Sequence, residues 1–394
     1  MEKWIYLDHA ATTKMRSEVI EEMLPYFNEY YGNAGSSYGL GAQSRKALKE
    51  ARMKIARTLK VIPDEIFFTS GGTEADNWAL RGVAEAYREK GKHIIVSKIE
   101  HAAILQTCKY LEANGYEITY LNVDKDGRVD LQELERSIRS DTILISIMYA
   151  NNEVGTIQPV REISKIAHQR GVLFHTDAVH AYGHIPISAN EDGFDLLSAS
   201  AHKFNGPKGV GFLYIKGYKK LRNLIYGGGQ ENGKRSGTEN VAGIVGMAKA
   251  AELAEREMPM RMAWESYLRD ELWEQLNKEI PMVVKNGSSS DRVPGNLHVS
   301  FLGYGSENIL GYLDRKSICV SGGSACSTRD RLPSNVMMAM GKSLAEIRGA
   351  IRFSISYENT REEILEVVQR LKEYYNCQHE IGKRSEKDDE FVAS

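Results

Sequence analysis

Two pairs of ionisable residues stand directly after apolar stretches that have the composition of buried strands. Asp177 and His180 follow one stretch, and His202 and Lys203 follow another. We expect these side chains to meet at one edge of a sheet, because ligands of α/β proteins bind at the carboxyl ends of parallel strands. Pyridoxal phosphate would use both a lysine, as a Schiff base, and a carboxylate, as the partner of its ring nitrogen. For either residue alone, a helix-capping Asp or a surface Lys is the commoner explanation.

A glycine pair indicates where an anion could bind. Gly71 and Gly72 follow an apolar stretch, and a helix is predicted to begin near Thr73, with Asp76 in its first turn as an N-terminal cap. The free amides of a first helical turn suit a phosphate, and glycines let the backbone approach it. A plain turn explains the glycines equally well. A second glycine-rich segment, residues 227–240, is either another anion contact or a flexible surface loop.

Cys326 has the surroundings of a reactive thiol. It lies in residues 320–328, which are rich in serine and glycine, whereas Cys108 and Cys319 lie among apolar residues that are typical of structural cysteines. An accessible thiol can act as a nucleophile. The alternative is an unreactive loop cysteine. Cys377 lies near the end of the chain, and its role is open.

Two further residues are weaker candidates. Arg352 lies in an alternating strand pattern, where its guanidinium could clamp a substrate carboxylate, although an exposed strand Arg is commoner. His101 follows another predicted strand and could move protons near neutral pH, although a structural His is the simpler explanation.

The elements that would position these residues alternate between strand and helix. Apolar stretches rich in β-branched residues predict strands at residues 66–69, 94–96, 118–121, 142–148, 172–176, 194–198 and 211–215. Strands separated by helices indicate a mainly parallel sheet covered on both faces, so the predicted fold class is α/β. A long helix at residues 242–279 then leads to a second region with strands at 296–301, 317–320 and 350–355. Two capping boxes, Ser343 with Glu346 and Thr360 with Glu363, predict helix starts there.

Composition excludes several classes of protein. The chain has 394 residues, of which 42% are hydrophobic and 26% charged, with a net charge of −2. This balance favours a soluble globular protein without a nucleic-acid or membrane partner. We expect neither a transmembrane helix nor a signal peptide. The four cysteines are too few for a disulfide framework and, with histidine, form no zinc spacing, so we expect a cytoplasmic protein without a metal site.

As a set, these motifs resemble the cysteine desulfurases of the NifS/IscS type, within the class V aminotransferase group of fold-type-I pyridoxal-phosphate enzymes. The resemblance runs in the family's order over about residues 5–372. Its matching stretches are Tyr6-Leu7-Asp8-His9-Ala10-Ala11-Thr12-Thr13, Phe68-Thr69-Ser70-Gly71-Gly72-Thr73-Glu74, Glu100-His101, Asn151-Asn152-Glu153-Val154-Gly155, His202-Lys203, Arg235-Ser236-Gly237-Thr238, Ser324-Ala325-Cys326 and Ile351-Arg352-Phe353-Ser354.

The resemblance implies a role for each site residue. Lys203 would hold the cofactor, Asp177 its ring nitrogen and His101 its ring face, with His101 also as the acid-base helper. The phosphate positions match Gly72, Thr73, Ser200 and His202, together with Thr238, which would reach the phosphate of a neighbouring subunit. Asn152 would touch the side of the ring, and Asn33 and Arg352 the substrate carboxylate. Cys326 would take sulfur from L-cysteine as a persulfide, leaving L-alanine.

The resemblance also implies the organisation of the protein. We expect a homodimer with a seven-stranded, mainly parallel sheet in a large domain at residues 14–255. A smaller α/β domain would comprise residues 1–13 and 256–380 and carry the cysteine loop. Residues 381–394, which are charged and without periodicity, would form a disordered tail. A sulfur-acceptor protein, either an iron–sulfur scaffold or a thiolation enzyme, is the expected partner.

Three departures from the family pattern stand out. His180 occupies the position of a Gln that bonds the cofactor's phenolic oxygen, and we expect this His to tune that oxygen's protonation because its charge can change near neutrality. Gly323 changes the sequence before the cysteine, and the C-terminal tail differs from the end that IscS-type enzymes offer to a scaffold. Two alternatives to a desulfurase are another fold-type-I enzyme, such as a selenocysteine lyase or an aminotransferase, and a non-catalytic sulfur carrier.

Overall fold

The computed structural model describes residues 4–322 and 333–392. Its strands are β1 (Ile5–Tyr6), β2 (Ile66–Thr69), β3 (His93–Ser97), β4 (Glu117–Leu121), β5 (Thr142–Ser146), β6 (Leu173–Asp177), β7 (Leu196–Ser200), β8 (Gly211–Ile215), β9 (Val283–Asn286), β10 (Asn296–Phe301), β11 (Ile318–Cys319) and β12 (Ala350–Ser354). Its α-helices are α1 (Ser17–Met23), α2 (Pro25–Asn28), α3 (Gly39–Leu59), α4 (Gly72–Ala86), α5 (Ala102–Ala113), α6 (Leu131–Ser137), α7 (Val160–Gln169), α8 (Ala189–Asp192), α9 (Val241–Glu279), α10 (Ser306–Asp314), α11 (Asn335–Ala339), α12 (Leu344–Arg348) and α13 (Arg361–Val392).

The main sheet has seven strands in the order β2-β8-β7-β6-β5-β3-β4. Strand β8 is antiparallel to both of its neighbours, and the other pairs are parallel, so the predicted mainly parallel sheet is confirmed. Strand β2 therefore runs in the same direction as β3, β5, β6 and β7. The carboxyl ends of these five strands share one edge, where a βαβ sheet binds its ligands.

Helices cover both faces of the main sheet, because its strands are apolar on both sides. In β2, Ile66 and Phe68 join the core that packs under α3, α7 and α9, whereas Phe67 joins the core under α4 and α5. The seven predicted strands are all present in this sheet, and those at residues 66–69 and 211–215 have the predicted bounds.

A second core lies around the antiparallel sheet β12-β10-β9, between the last turns of α9 and helices α10 and α13. Leu7, beside β1, belongs to this core, so the start of the chain packs with its C-terminal third. Helix α9 runs unbroken from Val241 to Glu279, through residue 256. The domain boundaries at 13/14 and 255/256 thus stay predictions.

The last helix differs from its prediction. Helix α13 continues to Val392, so residues 381–392 are helical where the sequence predicts a disordered tail. Glu, Lys and Arg, which are frequent there, have high helix propensity even without an apolar stripe. The capping boxes at Ser343 and Thr360 are both confirmed. Within the described ranges, no helix has the length and apolar character needed to span a membrane.

Candidate active site

The glycine pair forms a tight cup at the carboxyl end of β2. Helix α4 begins at Gly72 after Gly71, whose φ is +153°, and no side chain caps its first amides. A Cβ on Gly72 would lie 2.5 Å from Cγ2 of Val179 and 3.6 Å from Cβ of Ser200. Only glycine fits here, and the uncapped amides remain available for an anion.

The predicted phosphate residues differ in burial and in contacts; they are Ser200, Thr73 and His202. Ser200 ends β7 and is buried, whereas Thr73 is exposed on the first turn of α4. His202 follows Ser200 in a single helical turn, and its Nδ1 lies 3.2 Å from Oγ1 of Thr12. Burial, and then Lys203, lowers the pKa of His202 to about 4, so the ring is neutral at pH 7. Of the three, Ser200 lies against the cup, with its side chain 3.6 Å from the Cβ positions of Gly71 and Gly72.

The predicted cap role of Asp76 is wrong. Its carboxyl group is 1% exposed and lies inside the protein, within 4.8 Å of both Asp177 and His101. Asp76 sits at the fifth position of α4, where a side chain faces the sheet and cannot reach back to the first amides.

Asp177 is a buried carboxyl group at the end of β6. It is 4% exposed, and its Oδ1 accepts a hydrogen bond from the amide of Val179 at 2.9 Å. Burial raises its pKa, while the positive fields of His101 and Lys203 oppose that rise. A buried carboxyl group of this kind suits a cationic ligand atom, such as the protonated nitrogen of a pyridine ring.

Lys203 points its ammonium group at the N-terminal segment of the chain. Its Nζ donates hydrogen bonds to the carbonyl oxygens of Ala10 at 2.6 Å and Ala11 at 2.9 Å. Lys203 also lines a cavity together with Asn152 and His180. The structure thus brings together three of the predicted residues from three different loops.

The two predicted ring-side histidines differ in setting. His101 caps α5, and its Nδ1 accepts a hydrogen bond from the amide of Ala103 at 3.2 Å. His180 lies in the cavity, where burial and the charges of Lys203 and Arg352 hold its pKa well below the usual range. The expectation that His180 changes its charge near neutrality is therefore wrong: desolvation keeps the imidazole neutral.

Arg352 is buried, not an exposed strand residue. It is 1% exposed, its Nη2 donates to Oδ1 of Asp8 at 2.7 Å, and its Nη1 donates to the carbonyl of Asn152 at 2.9 Å. Its Nε has no hydrogen-bond partner among the described residues. Asn33 is exposed instead, and its Oδ1 accepts from the amide of Gly35 at 2.8 Å. Asn33 does not line the cavity that Lys203 and Asn152 share.

Cys326 lies outside the described residues, but both flanks of its segment are fixed near the site. The backbone of Ser321 exchanges hydrogen bonds with Arg352 at 2.7 and 3.2 Å. On the other side, Oγ of Ser334 donates to the buried carboxylate of Glu153 at 2.6 Å. Five residues of chain from Ser321 to Cys326 reach at most about 18 Å.

The other cysteines have distinct settings. Cys108 is fully buried, as predicted, and burial raises its pKa to about 12. Cys319, predicted to be a buried structural residue, is only partly buried because its strand β11 pairs on one side with β1. Cys377 is exposed.

The glycine-rich loop at residues 227–240 is held on the core by ion pairs. Arg235 binds Glu74 of α4 through two hydrogen bonds of 2.7 and 2.9 Å. Glu231 binds Arg52 at 2.6 and 2.8 Å and accepts from the amide of Phe68 at 2.8 Å. Thr238 is exposed on this loop, so the predicted contact with another subunit is sterically open.

Sequence reasoning from single motifs missed four contributors to the site. They are Asp8 and the carbonyls of Ala10 and Ala11, which come from the first residues of the chain, and the buried Asp76. An Asp in the middle of an otherwise apolar helical face, among Ala75, Ala79 and Leu80, is the signal that could have found Asp76.

Comparisons with known proteins agree with this geometry. The class-V aminotransferase model matches residues 5–367. A protein of Dictyoglomus turgidum named cysteine desulfurase IscS is 49% identical over 394 residues, covering 98% of this chain and 100% of that protein. Another of that name, from Methanosarcina thermophila, is 50% identical over 369 residues, covering 93% and 91%.

Solved structures give the same answer for the fold. A structure described as a NifS-like protein superimposes with a TM-score of 0.90 at 40% identity, covering 95% of this chain and 100% of the other. Because family model, relatives and structure each span nearly the whole sequence, the chain belongs to the class-V aminotransferase family.

Proposed function

We propose that the protein is a cysteine desulfurase that depends on pyridoxal phosphate. It converts L-cysteine into L-alanine and takes the sulfur as a persulfide on Cys326. The observation that carries this function is the combination of Lys203, whose positive charge acts on the buried Asp177, with the glycine cup that is lined by Ser200, three residues before Lys203. The relatives from Dictyoglomus turgidum and Methanosarcina thermophila, both named cysteine desulfurase IscS, support the choice of substrate.

The residues present fit the cofactor. The uncapped amides at Gly72, with Thr73, Ser200 and His202, would hold its phosphate, and Asp177 would hold its ring nitrogen. His101 would cover the ring, and Asn152 and His180 would lie beside it. When bound, pyridoxal phosphate supplies an electron sink that stabilises negative charge at the substrate Cα.

Lys203 moves the proton at the substrate Cα. Lys203 lines the cavity, and its Nζ is held by the carbonyls of Ala10 and Ala11. Two backbone acceptors fix the direction of the amine, which is what a positioned acid-base group requires. His101, partly buried on the same side, assists this proton transfer.

Arg352 orients the substrate through its carboxylate, with Asn33 as the second contact. The guanidinium is buried, so a bidentate contact there would be strong and specific. The free Nε donor of Arg352 supports this role.

Cys326 then completes the reaction. Its thiolate attacks the substrate sulfur, an S–S bond forms and the C–S bond breaks. The electron pair of the C–S bond stays with the carbon skeleton, which takes up protons and leaves as alanine. No external oxidant is needed, because the two electrons that the two sulfur atoms lose when the S–S bond forms stay with the substrate Cβ, which becomes the methyl group of alanine.

The working protein is a homodimer in the cytoplasm, and it passes sulfur to an acceptor protein of iron–sulfur assembly or of thiolation. Large exposed apolar side chains on and after α2 and beside the glycine-rich loop support the dimer: Phe27 is 64%, Tyr31 70% and Tyr226 71% exposed. Exposed apolar surface is typical of protein interfaces. Thr238, exposed on the same loop, is then free to reach the partner's cofactor phosphate.

A direct assay tests the function. The purified protein should bind pyridoxal phosphate and release alanine from L-cysteine in the presence of a thiol reductant. Lys203→Ala should remove both covalent cofactor attachment and turnover, whereas Lys165→Ala, on the exposed side of α7, should keep both. A cofactor-loaded protein that releases no alanine from L-cysteine would refute the proposed function.

A further inference from the structure

A second carboxyl group, Asp76, lies beside the one assigned to the cofactor nitrogen. One oxygen each of Asp76 and Asp177 and a ring nitrogen of His101 lie within 4.8 Å of one another. Asp76 is 1% exposed and Asp177 is 4% exposed. Asp76 also stands one turn beyond Gly72 on α4, so its position is fixed relative to the glycine cup.

No lysine or arginine is paired with Asp76 within the described part of the chain. Its Oδ1 has no hydrogen-bond partner there; Nε2 of His175 lies 3.8 Å from it, and a ring nitrogen of His101 lies within 4.8 Å of the carboxyl group. His175 is fully buried between Oγ of Ser146 at 2.8 Å and Oγ of Ser198 at 3.0 Å. Burial lowers the pKa of His175 to about 3, so it is neutral and contributes no positive charge.

The surroundings of Asp76 and Asp177 disfavour the ionisation of both carboxyl groups at once. Burial, followed by the charge of Asp177, raises the pKa of Asp76 well above its ordinary value, while a hydrogen bond from Ser198 acts in the other direction. From the loop before α5, Glu100 adds a further raising effect, and its own pKa is raised by burial to about 8. Only Asp177 feels positive groups, His101 and then Lys203. Two like charges this close in a dry site do not both ionise.

We propose that Asp76 is a positioning residue that keeps one proton in the Asp76–Asp177 pair, so that the pair offers a single negative charge to the ring nitrogen of the cofactor. One proton in the pair matches one positive charge on the ring, which leaves the buried site neutral as a whole. The inference rests on the proposed function only for the identity of that cation.

A purely structural Asp76 would behave differently. As a permanently ionised carboxylate beside the neutral His175, it would exchange no proton between pH 6 and pH 9, so Asp76→Asn would change the stability by the same amount at both pH values. As a proton holder, Asp76 costs stability at alkaline pH, because the folded protein must then give up the proton. A carboxyl group whose pKa is raised on folding loses its stabilising contribution as pH rises through the folded pKa.

The first test measures the stability of the protein after removal of pyridoxal phosphate. The urea concentration at the midpoint of unfolding should fall strongly from pH 6 to pH 9 for the wild type and less for Asp76→Asn. Asp177→Asn, which removes the other half of the pair, should show the same reduced fall and serves if Asp76→Asn does not fold. The matched control is Asp192→Asn, because Asp192 is a buried carboxylate that Arg161 neutralises at 3.0 Å. The urea midpoint of this control should fall from pH 6 to pH 9 as much as that of the wild type. Equal falls for the wild type and both variants of the pair would overturn the proposal.

The second test measures the dissociation constant of added pyridoxal phosphate at pH 7. Asp76→Asn should bind within about threefold of the wild type, because Asn keeps the neutral state, whereas Asp177→Asn should bind at least about tenfold more weakly. An equal loss in both variants would mean that Asp76 carries the charge, which contradicts the proposal. A wild type that binds no pyridoxal phosphate would refute the proposed function, while the urea comparison would still decide the role of Asp76.

Discussion

The buried Arg352 and the partly buried Asp8 form an ion pair across 344 positions of the sequence, with Nη2 of the arginine 2.7 Å from Oδ1 of the aspartate. The arginine that is proposed to receive the substrate carboxylate is thus already bound to a carboxylate of the chain itself. Asp8 keeps the guanidinium neutralised and oriented until a ligand arrives.

This pair predicts that ligand binding changes the effect of Asp8→Asn. Without ligand, the variant should lower the free energy of unfolding by about 1–3 kcal/mol, because a buried guanidinium loses its charged partner. Saturating L-alanine, whose carboxylate takes the place of Asp8 at the guanidinium, should reduce the difference in free energy of unfolding between the wild type and Asp8→Asn by about half or more. Asp141→Asn, which breaks an exposed pair with Arg139, should show no such dependence on ligand. If L-alanine left the difference in free energy of unfolding unchanged, the ligand would not bind to Arg352.

Cys326→Ser separates sulfur transfer from cofactor binding. The variant should bind pyridoxal phosphate as the wild type does, yet alanine release should fall by about 10³-fold or more, because the nucleophile is lost. Cys377→Ser, which removes an exposed thiol, is the control and should keep full turnover. Mass spectrometry after treatment with L-cysteine should find the persulfide on Cys326. Its appearance only on Cys319 or Cys377 would contradict the assignment.

His180→Gln tests the neutral histidine in the cavity. Because burial holds the pKa of His180 well below its usual range, the wild type has no charge change there between pH 6 and 8. The absorbance of the bound cofactor should therefore titrate with the same number of transitions in both proteins, with a midpoint displaced by less than about one pH unit. An extra transition near neutral pH that only the wild type shows would refute this prediction.

Glu231 should be the main anchor of the glycine-rich loop. Its nearly buried carboxylate binds Arg52 and the amide of Phe68. Glu231→Gln should lower the free energy of unfolding by about 1–3 kcal/mol, because the partly buried charge of Arg52 loses its partner. Glu50→Gln, in an exposed pair with Lys46, should change it by no more than about 0.5 kcal/mol in urea titrations. Equal effects would mean that the loop is not held by this pair.

Local sequence patterns predicted a strand correctly wherever its own residues form a distinct apolar run. Strands β2, β8 and β10 have the predicted bounds because each is a compact apolar run between turn residues. Strands β1 and β9 were missed: β1 has only two residues, and β9 is partly exposed and interrupted by Lys285. Strand β1 is stabilised by β11, far along the chain, which no local pattern reveals, whereas β9 pairs with β10, the next strand in the sequence.

The site followed the same rule. Asp177 and Lys203 could be placed because each directly follows a recognisable strand. The contacts of Arg352 with Asp8 and of Asp76 with Asp177 join distant segments, so the sequence did not predict them. The charge state of His180 depends on desolvation by the whole fold, which its sequence neighbours do not indicate.

The N-terminal segment that carries Asp8, Ala10 and Ala11 has a consequence for biosynthesis. Strand β1 pairs with β11, and Asp8 bridges to Ser354, so this segment finds its partners only after residues far later in the sequence have been synthesised. Until then Lys203 lacks the two carbonyls that receive its ammonium group. The strands of the main sheet are therefore synthesised before the contacts that complete the active site can form. Truncated chains should be inactive even when that sheet has folded.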